Sequence, residues 1–521
     1  MSYLSGAASD NTAKTASRAY DELSRVFPVC TFSDEFYYFP QAVPHEPSWE
    51  WDRFEPEAVE EIASRLSSFE NELAGSFENT DRDERIDREL LKRFLKTLRE
   101  ELIEVRFFES RPTFYLTVLS VGLAQACASS DPHALGSRIA GVPAFLDTAA
   151  QNLKKPPELF RRLGLEMVPS ARSYLEHLHG AGQDASAALA ALERFRERLE
   201  RVETRDDFRL SPELFERVVR EHMDCGMSVP EAEAELDLEI REMEERLSTK
   251  ARLLFSGSTW QEAVAKLPGP VLPPGGALAL FQELVEGLGR HCLEAGLMSP
   301  ELYQSCPVRV EPVPSYLAPI RTASAYSMTP GHPPRGGSFY VINADDPRAA
   351  ITENPAESPM LAAHETWPGH HLLDMNRWRN SRPVRRPLEH PLFYEGWACF
   401  AEGLAAQTGF LDRPEDSLLL DKRRYWRAVR GKVDLGLQTG ALDLEAAAEL
   451  LRETGMSRER ARASAPRFTL NPGYQLCYTL GLRRFSELFL KRGQENIPGF
   501  VKTVMDQGEI GFSGLAEVMK A

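Results

Sequence analysis

Three histidines and three glutamates stand close together in two short stretches of this chain. The first stretch runs from His364 to His371 and reads HETWPGHH, and the second runs from Glu395 to Glu402 and reads EGWACFAE. Imidazole nitrogens and carboxylate oxygens are the usual ligands of a catalytic zinc ion, which keeps one position open for water or substrate. The two stretches therefore predict a single zinc ion (Zn2+) in a hydrolase.

The spacing in the first stretch differs from that of the common zinc-binding helix. In the HExxH pattern two histidines four residues apart share one helix face, but here that position is Pro368. In a regular helix His370 would lie ~240° around and ~9 Å along from His364, too far for one metal. Pro368 lacks an amide hydrogen and Gly369 accepts unusual backbone angles. We therefore expect a break that draws His370 back toward His364, with His371 as the alternative ligand.

The glutamates divide into a ligand, an orienting group and a base. We expect Glu395 to be the third ligand and to begin a second helix, because the residues up to Leu404 are rich in helix formers. Glu402 follows on roughly the same face, where it could orient a ligating histidine or serve as an alternative ligand. Glu365, next to His364, is the candidate general base for an activated water molecule.

The two stretches resemble the signature of a large bacterial family known as domain of unknown function eight-eight-five. That family is similar to the helical gluzincin peptidases, such as thimet oligopeptidase, carboxypeptidase Taq and angiotensin-converting enzyme. In those peptidases a glutamate some two dozen residues after the second histidine completes the zinc site, and Glu395 lies 25 residues after His370 and 24 after His371. The resemblance implies a mainly α, two-lobed, gluzincin-like fold with a small β-sheet beside the active-site cleft.

Stretches elsewhere carry the same resemblance, namely RAVRGKVDLG (427–436), RFTLNPGYQLCYTLG (467–481) and GGSFYVIN (336–343). Through it, Tyr478 becomes the candidate that stabilises a developing oxyanion, with core packing as the alternative. The candidate substrate contacts are Arg467, Gln475, Tyr340 and Tyr326. Arg467 could bind a substrate carboxylate through two hydrogen bonds, or form a structural ion pair with Asp434.

Two further features bear on the substrate. Gln438 stands where the resemblance leads us to expect a histidine, which would fit a changed substrate or a changed step of the reaction. The predicted strand over 338–343 could pair with an extended peptide through its edge, or it could lie inside the sheet.

The composition excludes several classes of partner. The chain has 521 residues with 61 Lys and Arg against 78 Asp and Glu, a formal net charge of -17. This charge argues against a nucleic-acid or anionic-membrane partner, since either would require a basic patch. The first thirty residues lack the apolar core of a signal peptide, so we expect a cytoplasmic protein. The sequence does not indicate an oligomeric state.

The chain divides near a proline- and glycine-rich run, LPGPVLPPGG, at about 267–276. We expect an N-terminal helical lobe over 1–266 and a catalytic lobe over 277–521, joined in one integrated fold. Residues 1 to about 50 look irregular, and residues from Glu55 to about Val264 follow helical periodicity. The mixture of prolines, β-branched and aromatic residues over 307–343 predicts the small sheet.

The favoured function is a zinc-dependent hydrolase, a metallopeptidase acting on short peptides or on other amide bonds. The first alternative is a small-molecule amidohydrolase or biosynthetic hydrolase. The second alternative is a non-catalytic protein that binds a metal or ligand. Glu365 speaks against the latter, because a structural metal requires no general base.

Overall fold

The chain folds into α-helices with one small β-sheet, as the sequence predicted. A computed structural model describes residues 11–42, 48–74, 81–314, 323–342, 344 and 354–520. None of the described helices combines the length and the apolar composition that a bilayer span requires.

The first half of the chain builds its own apolar core. Its helices are α1 (Asn11–Val26), α2 (Pro28–Thr31), α3 (Pro56–Glu72), α4 (Arg82–Glu100), α5 (Phe107–Ser110), α6 (Pro112–Cys127), α7 (Ala134–Asn152), α8 (Glu158–Gly180) and α9 (Ser186–Arg201). Leucines and aromatic residues such as Phe54, Phe108 and Tyr115 fill this core. The expectation that the first fifty residues are irregular was wrong, because α1 buries Ala16, Ala19 and other small side chains that the periodicity of large apolar residues does not reveal.

The second half contains a larger core around the candidate site. Its helices are α10 (Pro212–Arg217), α11 (Val229–Leu254), α12 (Trp260–Ala265), α13 (Gly276–Glu294), α14 (Pro300–Ser305), α15 (Ser358–Glu365), α16 (His370–Arg379), α17 (Pro391–Gln407), α18 (Pro414–Thr439), α19 (Leu444–Glu453), α20 (Arg458–Phe468), α21 (Leu476–Arg492), α22 (Ile497–Gln507) and α23 (Gly511–Val518). Short π-helical turns follow α4 and α10, at Glu101–Val105 and Val218–His222, and a 3-10 turn at Pro355–Glu357 precedes α15.

The proline-rich run connects α12 to α13 and is exposed, with Val271 93% accessible to solvent. Helix α11 lies before this run in the sequence, yet it packs against α18 and α21, which lie after it. The two halves are therefore interlocked, and the division into two lobes at 267–276 stays a prediction.

The sheet has three strands, β1 (Val308–Pro312), β2 (Ala325–Met328) and β3 (Gly337–Val341). Strand β3 lies in the middle, parallel to β1 and antiparallel to β2. The strand predicted over 338–343 is thus an interior strand, and its last residue, Asn343, lies outside the described residues. Both of its edges are occupied, so an extended peptide cannot pair with it, and β2 is the strand that borders the cavity described below.

Helices α17 and α21 touch backbone to backbone where Gly396 meets Gly481. A Cβ atom on Gly396 would lie 2.5 Å from the Cα of Gly481, and a Cβ on Gly481 would overlap the carbonyl oxygen of Leu392. Only glycine fits at either position without moving a helix. This contact sets Glu395, on α17, opposite Tyr478, on α21.

Candidate metal centre

The helix that carries the first histidine breaks where the sequence predicted. Helix α15 ends at Glu365 and α16 begins at His370, so the intervening residues 366–369 interrupt the helix. A Cβ atom on Gly369 would overlap the carbonyl oxygen of His364, which explains the requirement for glycine in so tight a bend. The indole of Trp397, on α17, donates to the carbonyl of Pro368 at 3.0 Å. The break brings His370 back beside His364.

The three residues predicted as ligands converge. Their ligand atoms, from His364, His370 and Glu395, all lie within 4.8 Å of one another, and the three side chains are buried. The Oε2 atom of Glu395 lies 3.5 Å from Nε2 of His364 and 3.6 Å from Nε2 of His370. Helix α17 begins at Pro391, one turn earlier than expected, because proline is favoured in the first turn of a helix. Glu395 therefore sits in its second turn.

The spacing of these atoms fits a metal ion. Ligands ~2.1 Å from a tetrahedral zinc ion lie about 3.4 Å from one another, close to the separations of Glu395 from the two imidazoles. The Oε2 atom of Glu395 is buried and has no hydrogen-bond partner among the described residues, although the other oxygen of this carboxylate accepts the hydroxyl of Tyr474 at 2.7 Å. A buried carboxylate oxygen without a partner is costly, and a shared cation would satisfy it.

Charged residues next to the candidate ligands hold His364 in place, and Glu402, the residue predicted to orient a histidine, is one of them. The Nδ1 atom of His364 lies 2.9 Å from Oε1 of Glu402. Arg423 donates to both oxygens of the same carboxylate at 2.8 and 3.0 Å, and Arg427 donates to it at 3.1 Å. Burial alone would raise the pKa of Glu402, but the two guanidinium groups hold it well below its usual range. The carboxylate therefore stays charged and fixes the orientation of the ring.

Glu365 faces the same cavity as the three ligand residues. Its Oε2 atom accepts the backbone N–H of Tyr326, on β2, at 2.8 Å. This contact orients the carboxylate and leaves its second oxygen available to a water molecule. The position is suitable for the general base that the sequence predicted.

His371 points away from the ligand cluster. It is fully buried, with Nδ1 3.1 Å from the hydroxyl of Tyr326 and Nε2 2.9 Å from the carbonyl oxygen of Cys306. Burial lowers its pKa to about 3, so the ring is neutral. Both ring nitrogens are engaged, which leaves none for a metal. Tyr326 lines the same cavity as Glu365, and its hydroxyl lies against Nδ1 of His371.

The ligands line a cavity of 470 Å³ between β2, the segment around Tyr37 and helices α15 to α18 and α21. Tyr478 borders it, with its ring 6.5 Å from that of His364 and nearly parallel to it. Burial and the charge of Glu395 raise the pKa of Tyr478, so its hydroxyl remains a hydrogen-bond donor. The sequence reasoning missed Tyr474 on Glu395 and Tyr394, which stacks on His370 at 4.0 Å.

The other candidate substrate contacts lie elsewhere. Tyr340 lines a different cavity, of 490 Å³, beside Met328. Gln475 is buried and accepts Arg430 at 2.8 Å, so it meets the cavity only through that arginine. Arg467 is half exposed, ion-paired with Glu166 at 3.5 Å, and absent from the cavity lining. Neither a pair with Asp434 nor a place in the cavity is found for it.

Gln438 is buried with no partner for its amide group among the described residues, and it too lies outside the cavity lining.

Three arginines of α18 were not predicted as site residues, namely Arg423, Arg427 and Arg430. The sequence contains a signal for them, because they recur at helical spacing and therefore share a face. The spacing did not indicate which of them binds a carboxylate of the protein itself.

Comparison with known proteins gives a family and a fold. The family described as bacterial protein of unknown function (DUF885) matches residues 43–519. A structure described as a lipoprotein of unknown function from Shewanella oneidensis is 16% identical, with a TM-score of 0.76 over 98% of this chain and 100% of that one. A second, described as a lipoprotein from Colwellia psychrerythraea, is 17% identical, with a TM-score of 0.71 over 98% of each chain.

A carboxypeptidase from Pyrococcus furiosus is 12% identical, with a TM-score of 0.43 over 98% of this chain and 96% of that one, a likeness too loose to support an argument. Among curated proteins no sequence matches. The first two structures share the overall fold of this chain.

Proposed function

This chain belongs to the bacterial DUF885 family, and from that premise we propose that it is a zinc-dependent hydrolase cleaving amide bonds in short peptides. One observation carries the proposal. The ligand atoms of His364, His370 and Glu395 lie within 4.8 Å of one another, on a cavity that also receives Glu365. A metal-binding trio beside a carboxylate that is not a ligand is the arrangement that hydrolysis by activated water requires.

Each residue has a role in this proposal. His364, His370 and Glu395 would hold zinc, which when bound polarises a carbonyl and lowers the pKa of a water molecule. Glu365, held by the N–H of Tyr326, takes a proton from the attacking water and delivers it to the leaving amine. Tyr478 donates a hydrogen bond to the substrate oxygen on which negative charge develops. The peptide substrate and the cytoplasmic location remain predictions.

The proposal is tested by purifying the protein without added metal, measuring its metal content, and digesting a library of short peptides with mass spectrometric detection. We expect about one zinc ion per chain and cleavage of unmodified peptides. Protein that carries no metal, and that binds none when zinc is added, would refute the proposal.

Glu365→Gln is the matched variant for the same experiment. We expect it to retain zinc, because Glu365 is not a ligand, while kcat falls by ~10²- to 10⁴-fold, the usual contribution of a general base. A variant with full zinc and near-normal turnover would show that the proton carrier is another group.

A further inference from the structure

Resting on the proposed function, we propose that Arg430 binds the C-terminal carboxylate of the peptide substrate and makes the protein a carboxy-terminal exopeptidase. Arg430 lies on α18 and lines the same cavity as the metal-binding trio. Its surroundings, its lack of an acidic partner and its distance from the trio each support this role.

Aromatic rings hold the guanidinium of Arg430 in position. Its Cζ atom lies 4.5 Å from the ring centre of Trp426, 4.5 Å from that of Tyr478 and 5.5 Å from that of Phe468. Flat aromatic faces favour a guanidinium group and limit its motion. A fixed guanidinium presents its N–H groups in a set direction, which suits the recognition of a planar carboxylate through two hydrogen bonds.

No carboxylate forms an ion pair with Arg430 within the described part of the chain, although Asp434 is near enough for the two charges to interact. Its Nε atom donates to the neutral amide oxygen of Gln475 at 2.8 Å. Asp434, one turn along α18, accepts the backbone N–H of Gln475 at 3.0 Å and forms no ion pair with Arg430. By contrast, Arg423 and Arg427 on the same helix are both committed to Glu402. Arg430 is thus the cation of this face that remains available to an anionic ligand.

The distance to the metal site sets the length of peptide beyond the cleaved bond. The Cζ atom of Arg430 lies 4.5 Å from the Tyr478 ring centre, which lies 6.5 Å from that of His364, so at most about 11 Å separates Cζ from the His364 ring. An extended peptide spans ~3.3–3.6 Å per residue. A carboxylate on Arg430 would therefore end the chain no more than about three residues after the cleaved bond.

Acidic groups line the same cavity, and together with Arg430 they suit a peptide with both ends free. Asp34 and Glu35, from the segment after α2, belong to this lining. Asp34 accepts the N–H of Met328 at 2.8 Å, which fixes its position. A peptide at neutral pH has a positive amine at one end and a negative carboxylate at the other, and the cavity offers the complementary charges.

The test compares three substrates that are each cleaved after the same benzoyl-glycyl group: benzoyl-Gly-Phe with a free carboxylate, its C-terminal amide, and an amidated analogue with glutamate in place of the phenylalanine. They are assayed with the wild-type protein, Arg430→Gln, Arg430→Lys and Arg467→Gln. Arg467→Gln is the matched control, since it removes a half-exposed guanidinium from outside the cavity. Zinc content is measured for every variant.

We expect the wild-type protein to prefer the free acid over both amidated substrates. In Arg430→Gln, kcat/KM for the free acid should fall by about 10- to 100-fold, chiefly through KM, the range for a lost hydrogen bond to a charged group. The values for the amide, the zinc content and the Arg467→Gln control should be unchanged, and Arg430→Lys should recover part of the loss.

Equal cleavage of the free acid and the simple amide by the wild-type protein would overturn the inference. Preference for the amidated glutamate substrate would also overturn it, because the carboxylate recognised would then be that of a side chain. Calorimetric binding of the free acid to Glu365→Gln, with and without Arg430→Gln, supplies a readout that needs no turnover. If no peptide is cleaved, the proposed function fails, while weaker binding on loss of Arg430 would still support the carboxylate site.

Discussion

Two buried histidines in this molecule each lie between two glutamates, and they differ in whether both ring nitrogens lie at hydrogen-bond distance from a carboxylate. His222, in the π-helical turn after α10, has Nε2 2.9 Å from Glu100 and Nδ1 2.8 Å from Glu101. His364 has Nδ1 2.9 Å from Glu402, but its Nε2 stands 3.5 Å from Glu395, beyond a good hydrogen bond. Only His364 lines a described cavity.

The difference separates a structural cluster from a ligand site. Around His222 each ring nitrogen meets a carboxylate directly, so neither nitrogen is left for a metal, although Oε2 of Glu101 is itself without a partner among the described residues. Around His364 one side is closed by Glu402, while the other leaves room between Nε2, a second imidazole and the unpartnered Oε2 of Glu395. A gap of metal-ligand dimensions among buried polar atoms, and not the residue types alone, is what marks the candidate metal centre.

The strongest test of this comparison is to remove each histidine in turn. His364→Ala should abolish zinc binding and reduce turnover to background, because a site with three protein ligands has none to spare. His222→Ala should retain zinc but lose about 3–5 kcal/mol of unfolding free energy, since Glu101 stays buried without the imidazole that pairs with it. Elemental analysis after dialysis and urea unfolding measure the two effects. Zinc loss in both variants, or in neither, would remove the distinction.

A second test changes one glutamate in each cluster, Glu402 beside His364 and Glu101 beside His222. Glu402→Gln should weaken zinc affinity by about 10- to 100-fold, because the orientation of His364 depends on this contact. Glu101→Gln should leave the affinity unchanged. Both variants should be less stable, so competition with a zinc chelator under native conditions is the deciding measurement. An unchanged affinity in Glu402→Gln would mean that Arg427 and the helix break suffice to orient the ring.

The last predicted effect is a pH dependence of stability from His222. Burial alone would lower the pKa of this imidazole, but hydrogen bonds to Glu100 and Glu101 raise it from 6.5 to about 9. A raised folded-state pKa contributes stability that is fully present below pH 6.5 and is lost as the pH rises through about 9, a total of about 3 kcal/mol.

Urea unfolding at pH 6 and pH 10 should show this loss in the wild-type protein and a smaller one in His222→Gln. His291→Gln is the control, because the His291 ring is hydrogen-bonded to the neutral hydroxyl of Thr408, at 2.9 Å, and packs against Phe410. A loss of equal size in His222→Gln and the wild-type protein would assign the pH dependence to other groups.

The sequence predicted what local geometry determines. The break at Pro368 and Gly369 followed from the impossibility of placing His364 and His370 on one metal along a regular helix, and the structure contains that break. The prediction that Glu395 and Glu402 lie on roughly the same helix face likewise followed from helical periodicity. Each of these predictions required only the geometry of one helix and the reach of a side chain.

The sequence could not predict what depends on distant partners. Arg467 was the candidate for carboxylate binding, and only the fold shows that it pairs with Glu166 while Arg430 is left without an acidic partner. The His222 cluster was missed for the same reason, because Glu101 lies 121 residues before that histidine. Whether a charged side chain is neutralised is a property of the folded chain.

The contact between Gly396 and Gly481 limits how this protein could be redesigned. Because two backbones already touch there, the walls that carry Glu395 and Tyr478 cannot be brought closer, and any side chain at either glycine would push them apart. An engineer who wished to admit a bulkier substrate would gain little by varying this face. Ala325 of β2 also lines the cavity, and a change at that position would alter the wall without touching this helix contact.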